Sequence, residues 1–141
     1  MTIKIGERKT IVVVDAKESD YKQLVRCPSA ENWSFKFLST GRQALRFRNT
    51  DSAGCWIINM HLADFNGPDL FQMLRRDLDG TPTYLVSDRY RVEYELEAYS
   101  VSAAAYFPKP LDELWLNQWV NSTASNSGEV SPPRQIRTSN P

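Results

Sequence analysis

The chain repeats one pattern five times: a short apolar run that ends on a polar residue, then a segment with apolar residues at three- and four-residue spacing. Thr10–Val14 (TIVVV) is the plainest run, almost wholly β-branched and ended by Asp15. A run without alternation suits a strand covered on both faces, and strands that alternate with helices over short connections pair in parallel. The pattern predicts strands at Thr10–Val14, Trp33–Leu38, Cys55–Ile58, Thr83–Val86 and Ala103–Phe107. It predicts helices at Glu18–Cys27, Thr40–Arg48, Gly67–Leu78, Arg91–Val101 and Leu111–Val120. The expected fold class is therefore α/β, a doubly wound five-stranded parallel sheet with right-handed crossovers. Its functional edge lies beyond the carboxyl ends of the strands.

Length and charge narrow what such a sheet can serve. A chain of 141 residues buries one core. Its 17 basic and 17 acidic residues leave no net charge, which disfavours direct contact with nucleic acid. No apolar run reaches the roughly 20 residues of a membrane helix, and Met1–Thr10 carries no apolar leader core, so a cytoplasmic protein is expected. Cys27 and Cys55 lack CxxC spacing and read as reduced thiols. From Ser122 to Pro141 aromatics give way to Ser, Asn, Thr and Pro. Residues 1–121 therefore read as the domain and 122–141 as a disordered Ser/Asn/Pro-rich tail.

Polar residues follow the strands in register: Asp15 after the first, Asn59 after the third, Ser87 after the fourth, and Lys109 with Pro110 after the fifth. The stretches IVVVDAKESD, IINMHLADFNGPDL, TPTYLVSD and SAAAYFPKP resemble, in order and spacing, the receiver domain of bacterial response regulators, the CheY-like fold, from about Thr10 to Val120. That resemblance implies a flavodoxin-like (βα)5 topology with strand order 2-1-3-4-5. It also implies a Mg²⁺ site of two acids at the first strand end and one at the third, where an aspartate accepts the phosphoryl group. Carried over, the acidic pocket becomes Asp15 and Ala16, and the acceptor position becomes Asn59. Ser87 takes the place of the phosphate-contacting hydroxyl, Lys109 that of the pairing cation, and Tyr106 that of the aromatic whose rotamer reports the state.

Two of the three acidic positions are thus not acids. Mg²⁺ dehydrates reluctantly and is held by carboxylates, so its binding is expected to be weak or absent, and no metal or other cofactor is assigned. A carboxamide offers no anionic oxygen to attack a phosphoryl donor. Lys109 is expected to pair with Asp15 and hydrogen-bond Asn59. Taken singly, Asp15 also reads as a helix cap, Ser87 or Asp88 as a cap for the fourth helix, and Asp64 and Asp69 as turn and helix N-terminal residues.

The fifth helix carries more apolar residues than one stripe accommodates. Leu116 and Val120 are expected to face the sheet and Trp115 and Trp119 to be offered elsewhere, with a broad core face as the alternative. Together with Tyr94 and Tyr99 they mark the face through which receivers dimerise or meet output proteins. The expected function is a stand-alone atypical receiver in two-component phosphorelay signalling, not an enzyme. It would act by contact with a protein partner, a histidine kinase or output protein, or as a homodimer. The alternative is a sensor of a phosphate-like anion or metabolite at Ser87 and Lys109.

Overall fold

The computed structural model describes residues 9–48 and 53–121. Five strands, β1 (Lys9–Val14), β2 (Trp33–Leu38), β3 (Cys55–Asn59), β4 (Thr83–Ser87) and β5 (Ala105–Pro108), form one sheet in the order β2-β1-β3-β4-β5. Every neighbouring pair is parallel. This is the topology expected from the alternation of runs and from the resemblance. The tail expected over 122–141 lies outside the described residues. Among the described residues no helix is long and apolar enough to cross a membrane.

The unbroken apolar runs are explained by two cores, one on each face of the sheet. Alternate residues of a strand point to opposite faces. Ile11, Val13, Ile57, Tyr84 and Val86 pack on one side with Leu24 of α1 (Lys22–Arg26), Trp115 of α5 (Glu113–Trp115) and the residues that follow it. Val12, Val14, Trp56, Ile58 and Leu85 pack on the other side. There they meet Ala44 of α2 (Gly41–Phe47), Leu70, Phe71 and Leu74 of α3 (Gly67–Leu74), and Ala98 of α4 (Val92–Ser100).

The helices at the two ends of the chain depart from expectation. In place of one helix over Glu18–Cys27 there is a 3₁₀ turn, Glu18–Tyr21, followed by α1. Pro28 disfavours helical backbone at Cys27, whose extended dihedrals (φ −71°, ψ 151°) end α1. The last helix starts later than Leu111, at Glu113, where the Asp112 carboxylate accepts the Trp115 N–H at 3.0 Å. It then widens into a π-type turn over Leu116–Asn121. A wider turn draws positions i, i+1, i+4 and i+5 onto a narrower face, so Trp115, Leu116, Trp119 and Val120 all reach the core.

That corrects the expected orientation of the tryptophans. Trp115 and Trp119 are each only 6% exposed and are not offered to a partner. Their rings stand edge-on to Tyr84 and Phe107, with centroids 4.9–6.2 Å apart. On the last helix the exposed apolar residue is Leu114, at 62%, and α4 carries three exposed apolar residues together. Val92, Leu96 and Tyr99 share a face that points away from the sheet, Leu96 being 60% exposed, while Ala98 and the succeeding Val101 are buried.

Trp119→Ala is expected to lower stability by about 3–5 kcal/mol, because it empties the centre of this aromatic cluster. Leu96→Ala should stay within about 0.5 kcal/mol as a surface change. Urea denaturation midpoints of the two variants test the assignment of inside and outside.

Candidate functional site

Parallel pairing brings the ends of β1, β3 and β4 and the residues just after β5 to one edge. Asp15 follows β1, Asn59 ends β3 beside Val86, and Ser87 ends β4 beside Pro108. Asp15 and Asn59 are each 4% exposed, and the Lys109 side chain 8%. Charged groups this deep persist only with partners.

Lys109 supplies most of them. Its Nζ lies 2.9 Å from Asp15 Oδ2, 2.7 Å from Asp20 Oδ2 and 2.9 Å from Asp88 Oδ1. The Asn59 amide donates from Nδ2 to Asp15 Oδ2 at 2.9 Å, with a longer approach of 3.5 Å to Asp88 Oδ1. Its Oδ1 accepts the His61 N–H at 2.8 Å. Tyr21 OH donates to Asp15 Oδ2 at 2.7 Å, and the Lys17 N–H to Asp15 Oδ1 at 2.9 Å. Lys17 Nζ pairs with Asp88 Oδ2 at 3.2 Å across the mouth. Ala16 is exposed beside this network and contributes no oxygen.

The pairing of Lys109 with Asp15 is the expected one. The bond expected between Lys109 and Asn59 is replaced, since the amide spends its N–H on Asp15 itself. Burial alone would lower the Lys109 pKa, but hydrogen bonds to Asp20, Asp15 and Asp88 outweigh it and raise the group above its ordinary value. The same Lys109 bond, opposed by desolvation and aided by Lys17, holds Asp88 down at about 2. Burial, reinforced by Asp15, pushes the Tyr21 phenol up. Asp20, Asp88, Lys17 and Tyr21 were not picked out as site residues from sequence. Their signal was proximity in the chain: Asp88 directly follows Ser87, and the others fall within six residues of Asp15.

Ser87 and Tyr106 form a second, adjoining unit. Ser87 Oγ donates to the Arg89 carbonyl at 2.6 Å and lies 2.5 Å from Tyr106 OH, which accepts the Arg91 N–H at 3.2 Å. The Tyr106 ring is buried, and desolvation pushes its phenol up. Neither Ser87 nor Asp88 caps α4, whose N-cap is Arg91 without a side-chain bond. Asp15 forms a turn with Lys17 rather than a helix cap.

The loop after Asn59 is anchored on both sides. His61 Nε2 lies 2.7 Å from Tyr94 OH, with the rings edge-on at 5.0 Å, which ties the loop to α4. Asp64 accepts the Gly41 and Arg42 N–H groups at 2.9 Å each. Slight desolvation pulls its carboxyl up, but those two N–H groups prevail and hold it below the usual carboxylate range. Asn66 caps α3 by accepting the Asp69 N–H at 2.9 Å, and Asp69 occupies the first turn. Gly67 permits the return of the chain, because a Cβ there would stand 2.4 Å from the Asn59 carbonyl oxygen. Of the expected interaction residues, Tyr99 is exposed and Tyr94 half-buried, unlike the two tryptophans. Pro110, exposed after Lys109, follows a cis peptide bond.

Residues 11–121 match the family model described as the response regulator receiver domain. No curated protein sequence matches the chain significantly. Among solved structures it is similar to a two-component response regulator from Clostridium difficile, at 16% identity and TM-score 0.75, over 86% of this chain and 100% of that one. It is also similar to the chemotaxis response regulator CheY4 of Vibrio cholerae, at 16% identity and TM-score 0.69, over 82% and 98%. A third is a response regulator from Burkholderia pseudomallei with a phosphorylated aspartic acid, a calcium ion and citrate. It aligns at 17% identity and TM-score 0.70, over 84% of this chain and 69% of that one.

The paired charges set a pH dependence with two limbs. Asp88 is depressed from 3.8 to about 2, so its contribution is present above pH 3.8 and is lost as pH falls through about 2. Lys109 is raised from 10.5, so its contribution is complete below that pH and fades as pH climbs above it. Removing one partner of such a cluster leaves buried charge uncompensated. Lys109→Met should therefore cost on the order of 3 kcal/mol at neutral pH and flatten both limbs, as read from thermal unfolding between pH 2 and pH 12.

Proposed function

Because this chain belongs to the response regulator receiver domain family, we propose that it serves two-component signalling as a receiver that is not phosphorylated at the usual position and signals through protein contact. The observation that carries this reading is Asn59. The side chain at the acceptor position is a neutral amide whose nitrogen is hydrogen-bonded to Asp15, the one acid kept at the end of β1. Phosphoryl transfer to a receiver needs a carboxylate oxygen as nucleophile and a cation to neutralise the incoming charge. Asn59 lacks the first, and Ala16 withholds one of the acids that would recruit the second. No reaction is assigned to the pocket, and the chain is read as a signalling module rather than an enzyme.

Without a phosphoryl group to set its state, the conformation of Ser87, α4 and Tyr106 follows whichever partner binds one arrangement better. The partner is a protein: a histidine kinase, an output protein or a second copy of the chain. Support for its place comes from the exposed Val92, Leu96 and Tyr99 on α4, next to Tyr94 and the buried Tyr106. A cytoplasmic setting accords with such partners. The second reading, an anion or metabolite sensor, draws less support. Ser87 Oγ is engaged with Arg89 and Tyr106, and Lys109 with three carboxylates.

Incubation with Mg²⁺ and acetyl phosphate, followed by intact-mass analysis, tests the reading. The natural chain should keep its mass, and the variant carrying both Ala16→Asp and Asn59→Asp should gain one phosphoryl group. A phosphorylated natural chain would refute it. Sedimentation velocity addresses the partner face. A concentration-dependent dimer that Leu96→Glu dissociates identifies a second copy on α4, and a persistent monomer leaves the face to a kinase or output protein.

A further inference from the structure

The family's divalent cation does not fit this pocket, and the reason is more specific than the loss of two acids. Every oxygen of Asp15 already accepts a hydrogen bond: Oδ1 from the Lys17 N–H, and Oδ2 from Tyr21 OH and Asn59 Nδ2, with the Lys109 ammonium 2.9 Å away. The Ala16 side chain supplies no oxygen, and the Asn59 amide oxygen, Oδ1, is turned to the His61 N–H. Among the described residues, no group of three or more His, Cys, Asp or Glu is arranged to hold a metal ion.

We infer that Lys109 is the resident cation of this pocket, its ammonium standing between Asp15, Asp20 and Asp88 in place of a divalent ion. An ammonium has three N–H donors and no acceptor. Here it faces three carboxylate oxygens at 2.7–2.9 Å, one from each acid, so its donors are fully used. Two of those acids, Asp20 and Asp88, come from outside the positions that the family resemblance supplies. The distances suit N–H···O contacts and are longer than the roughly 2.3–2.6 Å of Ca²⁺–oxygen or 2.0–2.1 Å of Mg²⁺–oxygen bonds. Three acids and one ammonium leave two negative charges. Lys17 offsets part of this at Asp88, and Asn59 adds donors without charge. An aspartate at 59 would instead set a fourth carboxylate against Asp15. The amide is therefore the residue that a pocket closed by its own cation requires, not merely the remnant of an acceptor.

This role for Lys109 builds on the phosphate-free pocket proposed above. The test uses no phosphoryl donor, so the two readings fail separately. Ca²⁺ serves as probe, by isothermal titration calorimetry and thermal unfolding of the full chain, with Lys109→Met and Lys109→Met/Asp20→Asn/Asp88→Asn alongside. The natural chain should give no binding heat below a few millimolar Ca²⁺ and no change in Tm. Lys109→Met should bind Ca²⁺ at least about tenfold more tightly and gain Tm with Ca²⁺ by mass action, and the triple variant should lose both responses. Should Lys109→Met be unfolded in chelator, Ca²⁺ must restore its fold. Tight Ca²⁺ binding by the natural chain overturns the inference. So does a Lys109→Met chain that ignores Ca²⁺, folded or not.

Discussion

Asp15 is the constraint on which the site depends. It follows β1, whose last four residues are wholly buried, and a carboxylate that is only 4% exposed has no stable ionised form without partners. The surrounding chain meets this demand from every side: a phenol from the turn before α1, an amide from β3, an ammonium from beyond β5 and a backbone N–H two residues on. Two of those donors, Asn59 and Lys109, come from segments distant in sequence, so the sheet order that gathers them is also a condition for keeping Asp15 charged. Fold and site are the same electrostatic problem seen at two scales.

Most of the architecture was legible because its cause is local. Uninterrupted β-branched runs ended by polar residues locate strands that are buried on both faces, and the parallel sheet follows from their alternation with helices. The strand ends that converge in space, Asp15, Asn59, Ser87 and Lys109, were visible for the same reason. Less legible was how many acids would meet Lys109. Asp20 stands in the 3₁₀ turn before α1 and Asp88 in the loop after β4, where sequence spacing does not fix side-chain direction. From sequence Asp88 reads as a cap for the fourth helix, and Asp20 as one residue of the first predicted helix.

The helices show the other limit. Apolar spacing identifies a helix but not which neighbour will cover which stripe. On α4 the apolar stripe Val92, Leu96 and Tyr99 faces away from the sheet because the small Ala98, with Val101 beyond the helix, makes the close contact. At the last helix the reverse happened: a wider turn carried both tryptophans inward, where Tyr84 and Phe107 meet them. Regular α geometry would spread Trp115, Leu116, Trp119 and Val120 over a wider arc, so the departure from it narrows the face that closes the core on that side.

The grip of Asp64 on the first N–H groups of α2 gives the loop after Asn59 an owner outside its own sequence. Gly41 completes the match, for a Cβ there would stand 2.3 Å from the Phe65 ring. The loop and the start of α2 therefore form a module that changes as a pair. A segment grafted from another receiver between β3 and α3 would leave two helix N–H groups without an acceptor unless it brought a carboxylate to the same spot. Chimeras that exchange the loop together with the first turn of α2 keep that junction whole, and those that cut between the two do not.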